Sequence, residues 1–123
     1  MKKAIYPGSF DPITNGHIEV LKRSLNVFDE VTLLLAVNPN KASRFDVLER
    51  IEMMREAVKD LPGATVDFFE GLTVKYAKEH NAPHLIRGLR AVSDFEYEFS
   101  LAAANEYADP TVDMVFFMAR HEE

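Results

Sequence analysis

The sequence predicts an α/β fold, and two observations carry that expectation. Short apolar runs at Ala4–Tyr6, Val31–Val37, Thr65–Phe69, His84–Arg87 and Val112–Met118 alternate with stretches whose apolar residues recur at helical spacing. The second run, Val31-Thr-Leu-Leu-Leu-Ala-Val37, is nearly continuous, which marks a strand covered on both faces. Strands that alternate with helices imply a parallel sheet with right-handed crossovers, hence a Rossmann-like three-layer sandwich with a five-stranded parallel sheet. At 123 residues the chain is one domain, and 47% of it is hydrophobic, enough to fill a core.

Taken in order, the first strand runs into a loop, Pro7 to His17, that holds two prolines, two glycines and two hydroxyl residues. A helix follows with Ile18, Leu21, Leu25 and Phe28 on one face and an end near Phe28. After the second strand, Asn38-Pro-Asn-Lys-Ala-Ser43 reads as a loop. Asp46-Val-Leu-Glu49 is a capping-box pattern that opens a helix with Val47, Leu48, Ile51, Met54, Val58 and Leu61 inward, and Pro62-Gly63 stops it. The third strand turns at Glu70-Gly71 into a short helix that runs to about His80. Pro83 introduces the fourth strand, which leads directly into Gly88-Leu-Arg90. Ser93-Asp-Phe-Glu96 is a second capping-box pattern, whose helix buries Phe95, Phe99, Ala102 and Ala103 before Pro110 and the fifth strand.

Composition narrows the function. The formal net charge is −6, which argues against a general nucleic-acid or membrane-surface role. Cysteine is absent, so disulfides, thiolate catalysis and cysteine zinc sites are excluded, in keeping with a reducing cytoplasm. The start, Met-Lys-Lys, leads into strand and turn residues, with neither a signal peptide nor a transmembrane span expected. There is no Gly-x-Gly-x-x-Gly and no Walker pattern, so dinucleotide and P-loop readings have no footing.

Three places combine polar or cationic residues with the end of a strand: Gly8 to His17, Lys41, and Arg87 to Arg90. In a parallel sheet those ends share one edge, where open α/β sheets bind ligands. Lys41, Arg87 and Arg90 supply cations, and His17 adds a donor at a helix N-terminus, so the ligand they suit is highly anionic. Plainer readings exist for each: a cap for His17, a solvated lysine for Lys41, and pairing with Asp94, Glu96 and Glu98 for the arginines. Glu49, Glu52 and Glu56 lie at helical spacing but have no histidine beside them. With Arg50 and Arg55 adjacent, they read as a solvated face. His80 is read as a helix C-terminal residue, while His84 and His121 have no partner at ligand spacing.

The residues then become familiar. Gly8-Ser-Phe-Asp-Pro-Ile-Thr-Asn-Gly-His17 resembles the nucleotidylyltransferase signature, with its Thr/His-x-Gly-His core. Leu85-Ile-Arg-Gly-Leu-Arg-Ala-Val-Ser-Asp-Phe-Glu-Tyr-Glu98 is similar to the second signature of bacterial phosphopantetheine adenylyltransferases. The resemblance covers essentially the whole chain, including the Asn-Pro-Asn-Lys41 loop. It implies transfer of the adenylyl group of ATP to 4′-phosphopantetheine, giving dephospho-coenzyme A and pyrophosphate, with magnesium, in a cytoplasmic homohexamer. By matching positions it implies catalysis by His17, Lys41 and Arg90, and phosphopantetheine binding by Ser9, Lys41, Thr73 and Arg87. ATP would be held by Ser9, Phe10, His17, Gly88, Leu89, Arg90 and Glu98.

One departure stands against this. Family members continue past the fifth strand into a helix with an Ile-Ser-Ser-Ser/Thr motif for the ATP phosphates. Here the chain reads Ala119-Arg-His-Glu-Glu123, so residues 1–123 are expected to form a nucleotidylyltransferase domain truncated at its C-terminus. Two alternatives follow. One is a nucleotide or coenzyme A binding module without turnover. The other is a cytidylyltransferase of the glycerol-3-phosphate type, which predicts an Arg-Thr-x-Gly-Ile-Ser-Thr motif that is absent.

Overall fold

A computed structural model describes residues 1–37, 42–89 and 110–118. Five parallel strands form one sheet: β1 (Lys3–Gly8), β2 (Glu30–Val37), β3 (Ala64–Glu70), β4 (His84–Leu89) and β5 (Asp113–Met118), in the order β3-β2-β1-β4-β5. Three described helices connect the first four strands: α1 (Asn15–Ser24), α2 (Val47–Val58) and α3 (Thr73–Glu79). The Rossmann-like expectation holds. The expected helix between β4 and β5, with its capping box at Ser93, lies outside the described residues.

The sheet order explains the layers. From β1 to β2 to β3 the chain steps one way across the sheet, and right-handed crossovers put α1 and α2 on one face. From β3 it passes back over β1 to β4, which reverses the direction and puts α3 on the opposite face. The two cores follow. Alternate residues of the central strands, Ala4, Tyr6, Val31, Leu33, Leu35 and Ile86, pack with Val20 and Leu21 of α1 and Ile51, Met54 and Val58 of α2. Their neighbours along the strands, Ile5, Leu34 and Leu85, pack with Val74, Tyr76 and Ala77 of α3. Burial on both faces is why β2 lacks the alternation of a one-sided strand.

Helix ends follow local chemistry, with two corrections. α1 stops at Ser24, short of the expected Phe28, and the Leu25 N–H closes its last turn on the Leu21 carbonyl at 3.0 Å. Phe28 still enters the core, 5% exposed, carried there by the turn after the helix. In α2 the expected capping box is present, with Asp46 accepting from the Glu49 N–H at 2.8 Å. Leu48, however, is 75% exposed, while Arg50 is 6% exposed. The inward stripe is Val47, Ile51, Met54 and Val58, and Leu48 stands one residue around the helix from it. Leu61 lies beyond the end of α2 and is half-buried against the same core. Among the described residues no helix is long and apolar enough to cross a membrane.

Candidate active site

The crossover reverses between β1 and β4, so the crevice outside their carboxyl ends is the switch point where open sheets bind ligands. The chain from Gly8 to His17 leaves β1 there, and Arg87, Gly88 and Leu89 close β4 on the other side.

His17 is the third residue of α1, and Thr14 caps that helix. Its Nδ1 accepts the Thr14 backbone N–H at 2.9 Å and lies 3.1 Å from the Thr14 hydroxyl. A backbone N–H can only donate, so Nδ1 presents a lone pair and the proton of the neutral ring sits on Nε2. The imidazole also packs edge-on against Phe10, with centroids 4.9 Å apart. Phe10 itself is 2% exposed and has φ of 40°, a left-handed backbone that costs a bulky residue about 1–3 kcal/mol. Packing holds it there. Its ring meets Tyr6 edge-on at 5.6 Å and folds back over Gly8, where an added Cβ would come within 3.1 Å of the ring.

The other expected residues divide. Ser9 is exposed in the loop after β1. Arg87 is half-buried and donates to the Pro7 carbonyl at 3.1 Å, which ties the end of β4 to that of β1 across the switch point. Thr73 opens α3 after β3. Gly88 is closely packed: a Cβ there would lie 3.0 Å from Val20 Cγ2 and 3.6 Å from the Tyr6 hydroxyl. The Leu89 side chain is 3% exposed, so, as for Phe10, a ligand would meet mainly its backbone. Lys41, Arg90 and Glu98 lie outside the described residues, as do Asp94, Glu96 and His121. The Glu49, Glu52 and Glu56 face is exposed, and Glu56 pairs with Lys59 at 2.5 Å. Arg50 does not pair with those acids, contrary to expectation. Its guanidinium is buried and turned to backbone carbonyls, Ser9 at 3.0 Å and Asp46 at 3.4 Å.

Away from the crevice, His80 caps α3 as expected. It donates from Nδ1 to the Tyr76 carbonyl at 2.8 Å and stacks on the Tyr76 ring at 3.8 Å. Burial, and then the hydrogen bond to Asp67 at 2.6 Å, push the Tyr76 hydroxyl well above its usual pKa.

A cytidylyltransferase-like family model matches residues 5–120. A phosphopantetheine adenylyltransferase of Caldanaerobacter subterraneus subsp. tengcongensis is 51% identical over 118 residues, 96% of this chain and 74% of that protein. That of Carboxydothermus hydrogenoformans is 48% identical over 122 residues, 99% of this chain and 75% of that protein. The chain belongs to the phosphopantetheine adenylyltransferase family. It spans about three quarters of the length of these relatives. Solved structures show the same fold at low identity. A lipopolysaccharide core biosynthesis protein from Thermoplasma volcanium superposes with TM-score 0.68 at 22% identity, covering 98% of this chain and 99% of that one. A bifunctional NMN adenylyltransferase/ADP ribose pyrophosphatase from Francisella tularensis gives 0.70 at 13% identity, covering 98% of this chain and 39% of that one.

In this adenylyltransferase-family chain, three residues escaped sequence reasoning. Thr14 is an N-cap whose box partner at N3 is histidine rather than the usual Glu or Gln, so the spacing was present but the residue type hid it. Asp11 accepts the backbone N–H groups of Arg44 at 2.5 Å and Phe45 at 2.8 Å. Those bonds, the Arg44 one foremost, hold its carboxyl below the usual carboxylate range, with help from the Arg50 charge and against some desolvation. Arg50 had a signal in its place beside the stripe of Val47, Ile51 and Met54, where a charge must find partners as it is buried.

Proposed function

We propose that the chain transfers the adenylyl group of ATP to 4′-phosphopantetheine, releasing pyrophosphate and forming dephospho-coenzyme A. One observation carries the reading. A histidine whose proton is assigned to Nε2 stands at the carboxyl edge of β1 beside β4, in a chain about half identical to named phosphopantetheine adenylyltransferases.

The acceptor is a phosphomonoester with its second pKa near 6, largely dianionic at neutral pH, so the attack needs no general base. A phosphate oxygen of phosphopantetheine forms the new bond to the α-phosphorus of ATP, the bond to the β-phosphate breaks, and its electrons leave with pyrophosphate. The obstacle is repulsion between two anions, and positioning with positive charge lowers it. Arg87, Lys41 and Arg90 are assigned that charge, and the Nε2–H of His17 is assigned the oxygens on which charge builds. Ser9, Lys41, Thr73 and Arg87 are assigned to the acceptor, and Ser9, Phe10, His17, Gly88, Leu89, Arg90 and Glu98 to ATP. Among the described residues no three acidic or histidine side chains gather at cation spacing. Magnesium would enter with ATP, and its charge would offset that of the phosphates. A cytoplasmic homohexamer completes the proposal, from the family resemblance.

The test is pyrophosphate release from magnesium-ATP and phosphopantetheine, with CTP and glycerol 3-phosphate in a parallel reaction. Product in the first mixture alone is expected. His17→Ala should lower kcat about 10²–10³-fold and change ATP affinity only a few-fold. Release only in the second mixture, binding without turnover in the first, or full activity of the variant would each overturn the corresponding part.

A further inference from the structure

Two ties run in opposite directions between the loops that leave β1 and β2. From the first loop, both oxygens of Asp11 take backbone N–H groups of the second, those of Arg44 and Phe45. From α2, which the second loop enters, Arg50 donates back to the Ser9 carbonyl and also holds the Asp46 carbonyl at the start of its own helix. Arg50 is 6% exposed, and a cation so buried is retained at a cost unless its donors are satisfied. Here two backbone oxygens take its Nε–H and one of its terminal N–H groups. This is not a surface ion pair of small worth. Each charged group is spent on the backbone of the opposite loop, which fixes the two loops relative to each other. Ser43 tightens the second loop further by donating to the Phe45 carbonyl at 2.8 Å.

The clamp is one-sided. It lies on the β2 side of the switch point, against the loop that carries Ser9. Gly88 and Leu89, assigned to ATP alone, lie at the end of β4 on the other side. We infer that Asp11 and Arg50 are paired positioning residues for the acceptor half of the site, setting the gap between the β1 and β2 loops and thereby how firmly the phosphate of the acceptor is held. The inference rests on the proposed adenylyl transfer. Neither residue touches substrate in this scheme. Both act through the backbone they hold.

The experiment measures ATP and 4′-phosphopantetheine binding by calorimetry, with steady-state kinetics and melting temperature, for the full chain and its Asp11→Ala, Asp11→Asn, Arg50→Met and Asp11→Ala/Arg50→Met variants. Misplacement of a site by about 1 Å is worth up to about 100-fold. The expected result is a roughly 10-fold or larger loss of phosphopantetheine affinity in Asp11→Ala and Arg50→Met, with ATP affinity changed less than about 3-fold. The double variant should be little worse than the poorer single one, because either break releases the same clamp. Asp11→Asn, which keeps one acceptor oxygen, should recover part of the loss. A lower melting temperature with unchanged phosphopantetheine affinity, equal weakening of both ligands, or additive losses would overturn the clamp and leave the function standing. An unmodified chain that binds neither ligand would overturn the function reading, and the acceptor role of the clamp with it.

Discussion

His17 shows how little a residue type means before its hydrogen bonds are known. A histidine at a helix start is a cap by default, and here it is one, since its Nδ1 satisfies the Thr14 N–H. The same bond assigns the proton to Nε2, so the cap and the chemical role proposed for His17 share a single arrangement. Asp11 makes a comparable point about pH. Its folded-state pKa is depressed, so its contribution to stability is present above the unfolded value, about 3.9, and is lost as pH falls through the folded value. The melting temperature of the unmodified chain should therefore exceed that of Asp11→Asn at pH 7, with the gap closing as the pH drops below about 4. A gap that stays constant down to pH 2.5 would show that the Asp11 charge contributes nothing to that stability.

At the scale of elements, caps and turns decide where each helix and strand stops. Thr14 and Asp46 cap α1 and α2 at the edge of the sheet that holds the crevice. At the opposite edge, Gly63 turns the chain into β3 with φ of 89°, and its carbonyl accepts the Val31 N–H at 2.9 Å. A Cβ on Gly63 would sit 2.7 Å from the Asp29 carbonyl oxygen, a backbone atom that cannot swing aside. Gly63→Ala should thus destabilise the chain by about 1–3 kcal/mol in urea unfolding, through strain and an unfavourable φ. Ligand affinity should hardly change, because the turn lies at the far edge of the sheet. A neutral substitution would mean that the turn relaxes freely.

For the whole molecule, stability and site placement share one origin. β2 is paired on both edges, by β1 and β3, and buried on both faces, so its side chains join the two cores across one strand. Leu34 is fully buried in the core beneath α3. Leu34→Ala should cost about 2–5 kcal/mol, read as a lower urea midpoint with an unchanged slope. A cost below about 1 kcal/mol would show that this core collapses around the gap. Because the loop after β1 and the end of β4 meet at the crevice only through sheet order, a lesion that loosens β2 threatens the site without touching it.

Much of this was legible in residues alone. Apolar runs and helical spacing marked each described strand and helix to within a few residues, because burial on both faces of a sheet leaves a local pattern. The signature from Gly8 to His17 and the one from Leu85 to Glu98 pointed to the family, because phosphate chemistry demands particular residue types close together in sequence. Other features depend on atoms far apart in the chain. Leu48 and Arg50 exchanged their expected places because adjacent helical positions differ by about 100° and the neighbouring loop offered carbonyls to a cation. A Cβ on Gly88, the residue expected at the ATP site, would also press on Val20 of α1, a contact that no spacing shows. The pairing of Asp11 with the N–H groups of residues 44 and 45 leaves no spacing to read. Periodicity and motif determined the fold class and the family, since both are local. Only the tertiary structure decided which proton His17 carries and which loops are tied together, since hydrogen bonds and close packing join groups that sequence order does not.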